Sequence, residues 1–133
     1  MVALTKDRNT QKRMGDQYNA PLAAAVKIFA GSIVMLNASG DATPGAVATT
    51  LKPGGRAMAY VDNSTGAAGD KSVGFEKGVF KFANDGTITR ADIGGTAWVV
   101  DDQTVADNNG TATRSALGTI KDVDADGAWV EIV

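Results

Sequence analysis

The run Asp122-Val123-Asp124-Ala125-Asp126-Gly127 is the best-spaced set of reactive side chains in this sequence. Alternate carboxylates closed by a glycine match the first half of a calcium-binding loop, where successive oxygen ligands turn toward one ion. Such a loop needs a bidentate glutamate at its twelfth position. Counted from Asp122 that position is Val133, and Glu131 falls two residues early. The flanks have strand composition rather than helical composition. The run is therefore expected to be a hairpin turn with exposed aspartates, holding no metal. Asp101-Asp102 is the one adjacent acidic pair. Neighbours in a strand face opposite sides, so these two would not converge on one substrate atom, and they are expected to end a strand and begin a turn.

The sequence contains no histidine and no cysteine. That removes the most used general base, the most used metal ligand and the thiol nucleophile. Gly66-Ala67-Ala68-Gly69 lacks the following Lys-Ser/Thr of a phosphate cradle. Asn63-Ser64-Thr65 has the spacing of a glycosylation sequon, but the N-terminus shows no apolar signal-peptide region, so use of it is not expected. Trp98 and Trp129 lie in apolar runs, where they are expected to anchor a core or an interface rather than to stack on bases. The expectation is a protein that is not an enzyme and uses no cofactor. A carbohydrate- or calcium-binding β-domain would need a polar cleft with convergent carboxylates, which these residues do not offer.

The elements that would carry these residues are short. There are 16 glycines and three prolines, and Gly, Asn, Asp, Ser and Thr cluster between brief apolar runs, the pattern of strands joined by turns. Strands are expected over 21–36 with a bulge or bend at Gly31, over 46–50, and over 57–61. Residues 71–82 read as one long strand re-phased by a bulge at Gly78. Thr89 and Asp92 form a capping box that Gly94-Gly95 stops after a single helical turn. Further strands are expected over 96–101, over 114–123 with a break at Gly118, and over 128–133, with a hairpin-type turn at Asp107-Asn108-Asn109-Gly110. The expected fold is all-β: a small barrel or sandwich of about eight short antiparallel strands with one short helical turn and an extended N-terminal arm. No apolar stretch approaches the roughly 20 residues of a membrane helix.

The arm is expected over 1–20 and the single β domain over 21–133. Residues 1–20 are sparse in apolar side chains and hold Lys6, Arg8, Lys12 and Arg13 against Asp7 and Asp16, whereas the rest carries nine basic and 13 acidic groups. A basic arm thus precedes an acidic body. The overall charge of −2 argues against general nucleic-acid binding, and no membrane partner is expected. Such an arm cannot bury enough surface alone to offset its ordering entropy, so it is expected to order on a partner.

TKDRNT followed by PLAAAVKIFAGSIVMLNASG, then GRAMAYVDNSTGAAGDKSVGFEKGVFKFAN, TRADIGGTAWVVDDQTVA and the closing LGTIKDVDADGAWVEIV, resembles a family of tailed-phage and prophage head proteins, the capsid cement or decoration proteins. The likeness runs from about Thr5 to Val133 and rests on the series of segments, with no catalytic signature. It implies a homotrimer on the outer surface of the virion head, made in the bacterial host cytoplasm, whose partner is the phage major capsid protein. It also implies an arm that reaches over the capsid lattice. From side-chain type, Lys6, Arg8, Lys12 and Arg13 are expected to meet an acidic capsid surface, with Leu4, Met14 and Tyr18 as apolar anchors. A phage tail or baseplate β-module, or another assembly adaptor, shares the composition and is the alternative.

Overall fold

A computed structural model of the chain describes residues 2–13 and 15–133. Its strands are β1 (Gln17–Pro21), β2 (Val26–Ile28), β3 (Ile33–Leu36), β4 (Ala42–Pro44), β5 (Lys52–Ala57), β6 (Val61–Asn63), β7 (Ser72–Glu76), β8 (Gly78–Asn84), β9 (Thr96–Val99), β10 (Thr104–Ala106), β11 (Ala116–Asp124) and β12 (Gly127–Ile132). One 3₁₀ turn, Arg90–Asp92, interrupts them, and Thr89 N–H donates to Asp92 Oδ2 at 2.8 Å as the capping box requires. The protein is all-β. No helix among the described residues is long and apolar enough to cross a membrane.

Three strand assemblies make up the fold. A five-stranded sheet runs β1-β7-β5-β3-β4, a second set closes into a small barrel in the order β10-β8-β12-β11-β9, and β2 pairs with β6. All ladders are antiparallel except β10 with β8, which is parallel. The two large assemblies share a wall. Strand β3 alternates as a pleated strand must: Ile33 and Met35 enter the cluster filled by Val99, Leu117, Ile120 and Val130 of the barrel, while Val34 faces Leu22, Ile28, Val73 and Phe75 on the other side. A loop fastens the joint from outside, where buried Ser115 donates through Oγ to Ala48 O and accepts from Leu51 N–H.

Several sequence expectations change. The expected strand over 46–50 is absent; the chain there is a loop, and the strand instead lies at β5, in Lys-Pro-Gly-Gly-Arg-Ala. The expected strand over 57–61 separates into the end of β5 and the start of β6. Gly78 is not a bulge inside one strand. It marks the change from β7 in the open sheet to β8 in the barrel, at φ +152°, a conformation that L side chains rarely adopt. Asp107–Gly110 is no hairpin turn, because β10 and β11 are not paired; β9 lies between them. The arm boundary moves from residue 20 to the front of β1, since Gln17–Pro21 pairs with β7 along its length. Gly31 and Gly118 behave as expected. Gly31 turns the chain between β2 and β3 at φ +81°, and the β11–β9 register shifts between Ala116 and Gly118.

At Gly118 the barrel backbones approach so closely that a Cβ would overlap the Glu131 carbonyl oxygen. Gly118→Ala is expected to destabilise the fold by about 1–3 kcal/mol through this overpacking. Urea unfolding with an unchanged midpoint would show that β11 yields without cost.

Candidate functional site

The N-terminal segment leaves the body at the edge of the open sheet. Lys77 N–H donates to Asp16 O at 2.7 Å and Leu22 N–H donates to Lys71 O at 2.8 Å, bracketing the β1–β7 ladder. Antiparallel pairs alternate between bonded and unbonded, so Tyr18 and Ala20 turn their backbone groups to β7, while those of Gln17, Asn19 and Pro21 face outward. Gln17 and Asn19 thus present N–H and C=O groups that no strand among the described residues takes up, on an edge that ends at Pro21. Just beyond it, Leu22 bridges to Ala42 of β4 and Ala23 N–H donates to Ala42 O at 2.9 Å. The side chains follow the same parity: Ala20 is buried, Tyr18 half-buried, and Gln17, Asn19 and Pro21 are exposed.

Tyr18 fastens the segment to the body. Its ring stacks on Phe75 with centroids 6.2 Å apart, and it packs against the cluster on the sheet's far side from the barrel. The Arg13 guanidinium lies 4.9 Å from the ring centroid and the Lys77 ammonium 5.8 Å from it. Lys77 also donates from Nζ to Gly54 O at 2.8 Å and to Val133 O at 3.3 Å. Burial holds its ammonium below the usual lysine range. One lysine therefore joins the root of the arm, strand β5 and the C-terminal residue. Beside it Arg56 pairs with Glu76 and covers the Phe80 ring at 4.7 Å, bridging the open sheet and the barrel.

Of the residues singled out in the sequence, Leu4, Lys6, Arg8, Lys12 and Arg13 are exposed, and Leu4 retains 72% of its surface. Met14 lies outside the described residues. Tyr18 is half-buried, with its ring on the chain's own Phe75 and part of it still facing solvent. Lys77, Gln17 and Asn19 were not found in the sequence. The polar run Gln17-Tyr18-Asn19 gives no strand pattern, and nothing local marks Lys77 as the residue that reaches Tyr18. Phe29 and Tyr60 were also missed as surface features, although Met58 and Tyr60 fall on one side of the alternation in 57–61.

The aspartates of the 122–127 run form the expected tight hairpin between β11 and β12. Asp124 Oδ2 accepts from the Trp129 indole N–H at 2.7 Å, Asp126 lies 3.0 Å from Lys81 Nζ, and Asp122 lies 3.4 Å from Arg90. Each carboxylate is thus engaged by a donor of the chain, with Lys81 lying within 3.9 Å of Asp124 as well. No group of three or more His, Cys, Asp or Glu residues among the described residues is placed to hold a metal ion. Trp129 and Trp98 are half-buried on the outside of the barrel, alternating with buried Ala128, Val130, Ala97 and Val99, so neither fills the core. Asn63 of the sequon is 2% exposed, and its amide donates to Ala23 O and Ala67 O at 3.0 Å, which leaves no room for a glycan.

Comparison with known proteins finds no matching family model, no similar curated protein and no matching solved structure.

The Asp126 carboxyl is held below its ordinary value of 3.8 by the hydrogen bond from Lys81 and by its charge. On acidification the unfolded chain takes up this proton first. The contact therefore contributes fully above the ordinary value and is lost as pH falls through the folded pKa. A carboxyl-carbon NMR titration should place Asp126 below 3.8, and Lys81→Ala should return it to that ordinary value.

Proposed function

We propose that this chain is a structural, non-enzymatic virion protein of the capsid cement type. It binds the outer face of the assembled phage head as a homotrimer and holds neighbouring major-capsid subunits together. The observation that carries the reading is the exposed basic segment 2–13 running into an open, polar edge strand that is itself fastened to the body through Tyr18. The resemblance of the segment series to cement proteins supplies the partner.

The physical logic fits that role. An extended segment adds main-chain pairing to an exposed sheet edge at little demand on side-chain identity. Lys6, Arg8, Lys12 and Arg13 add attraction to an acidic surface, and Leu4 adds an apolar contact. Ordering such a segment limits the affinity of a single copy, and symmetric repetition over a shell restores it by avidity. The anchored root keeps the body at a fixed reach from whatever the segment grips.

Deletion of residues 2–16 is expected to abolish binding to expanded, cement-free heads in a sedimentation assay while the β domain stays folded. On assembled heads, trypsin cleavage after Arg8, Lys12 and Arg13 should be suppressed relative to the free protein. Undiminished head binding by the deleted chain would remove the arm mechanism. Electron microscopy with density on the tail and none on the shell would favour the tail or baseplate role.

A further inference from the structure

Phe29 and Tyr60 stand out on the body surface. They follow β2 and precede β6, one step beyond the Ile28–Val61 pair of that antiparallel ladder, and their rings meet with centroids 5.4 Å apart and planes tilted by 34°. Both remain about half exposed, at 54% and 53% of their surface. Isolated exposed apolar residues are ordinary, whereas a cross-strand pair of aromatic rings left half in solvent makes a contiguous apolar patch.

Each ring has an aspartate for a neighbour, Asp62 at Tyr60 and Asp102 in a depression that Phe29 also lines. Asp62 Oδ2 accepts from Tyr60 Oη at 3.4 Å. The depression, of about 340 Å³, is lined by Phe29 together with Asp102 and Gln103. Asp62 is partly compensated by Lys27, and the Lys71 ammonium bonds its backbone oxygen. Asp102 has no lysine or arginine within ion-pair distance among the described residues. Its backbone carbonyl is used, accepting from Ile33 N–H at 2.8 Å, which fixes the loop while leaving the carboxylate free.

We propose that this aromatic pair and the Asp102 carboxylate form a receptor for an arginine side chain of a partner polypeptide. The electron-rich ring faces and the carboxylate attract the same sign of charge. Lys81 shows that an ammonium can lie over a ring (Trp129, 5.7 Å) and still bond a carboxylate (Asp126, 3.0 Å). A planar guanidinium adds flat stacking on the ring and a bidentate fork to the carboxylate, and so fits such a site better. An apolar occupant would strip water from Asp102 with nothing in return. The chain already uses cation-on-ring contacts within itself, and its two arginines approach their rings more closely (4.9 and 4.7 Å) than its two lysines do (5.8 and 5.7 Å). The acidic excess of the body outside the arm adds long-range attraction for a cationic partner. This receptor is defined by the body alone and does not depend on what the N-terminal arm grips.

The test is an NMR titration of the ¹⁵N-labelled full chain with acetyl-Ala-Arg-Ala-amide at low ionic strength. Acetyl-Ala-Glu-Ala-amide and methyl glucoside are run beside it. Saturable shifts confined to the amides of Phe29, Ala30, Tyr60 and Gln103 are expected with the arginine peptide only. Asp102→Asn and Phe29→Ala should each weaken its binding by about three- to ten-fold. Phe29 is exposed and Asp102 half-buried, and the spectra themselves report that the variants remain folded. The proposal is overturned if the arginine peptide gives no saturable shifts there, if methyl glucoside gives the same shifts, or if Asp102→Asn binds as well as the parent chain.

Discussion

Five strands close around a core only when neighbouring backbones approach closely at the corners. In this barrel Gly118 against Glu131 and Gly127 against Phe82 mark where they do. With so narrow an interior, each strand contributes only a few side chains: Ala97 and Val99 from β9, Leu117 and Ile120 from β11, and Ala128, Val130 and Ile132 from β12. A cluster of this size gives a limited margin at roughly 25 cal/mol per Å² of apolar surface buried. The barrel therefore relies on the open sheet, whose Ile33 and Met35 complete its cluster. The two assemblies are stable together because each lends a face to the other.

That dependence explains the concentration of polar contacts along the joint. Lys77 lies at the change of sheet between β7 and β8, and its ammonium gathers the Gly54 carbonyl and the chain's last residue. Arg56 and Glu76 span the same border, with Phe80 beneath the guanidinium. These are half-buried groups, where ion pairs and ring contacts are worth more than at an open surface. The arm departs from this stiffened corner, through Asp16 and Tyr18.

Much of the fold was legible in the residues. Val73 with Phe75, and Val130 with Ile132, alternate and are buried as that alternation requires. Thr89 and Asp92 announced the short helical turn, and Asp124-Ala125-Asp126-Gly127 the closing hairpin. The failures share a cause: strands defined by their neighbours rather than by their own side chains. In β5, Pro53-Gly54-Gly55 reads as a loop. It is a strand because its backbone lies so near β3 and β7 that a Cβ at Gly54 would sit 2.7 Å from Val34 O. In β1, pairing at an edge places little demand on side-chain type, so Gln17 and Asn19 carried no signal. Gly78 signals a break in phase equally for a bulge and for a change of sheet, and only the long-range partners decide. At the candidate site the basic arm was visible from charge, whereas its fastening through Lys77 and the Phe29–Tyr60 pairing are contacts between distant segments.

Pro21 occupies an outward-facing position on the open edge, after two residues whose backbone groups no strand among the described residues takes up. An incoming strand can pair with Gln17 and Asn19 and continue toward the N-terminus, but at Pro21 it meets a missing donor and, immediately beyond, the bridge from Leu22 to Ala42 of β4, and must stop. The edge therefore has a direction and a short maximum length. Open-ended stacking of one chain on the next, as in fibres, needs a longer uninterrupted edge. The protein can thus keep an exposed sheet edge without that edge seeding its aggregation.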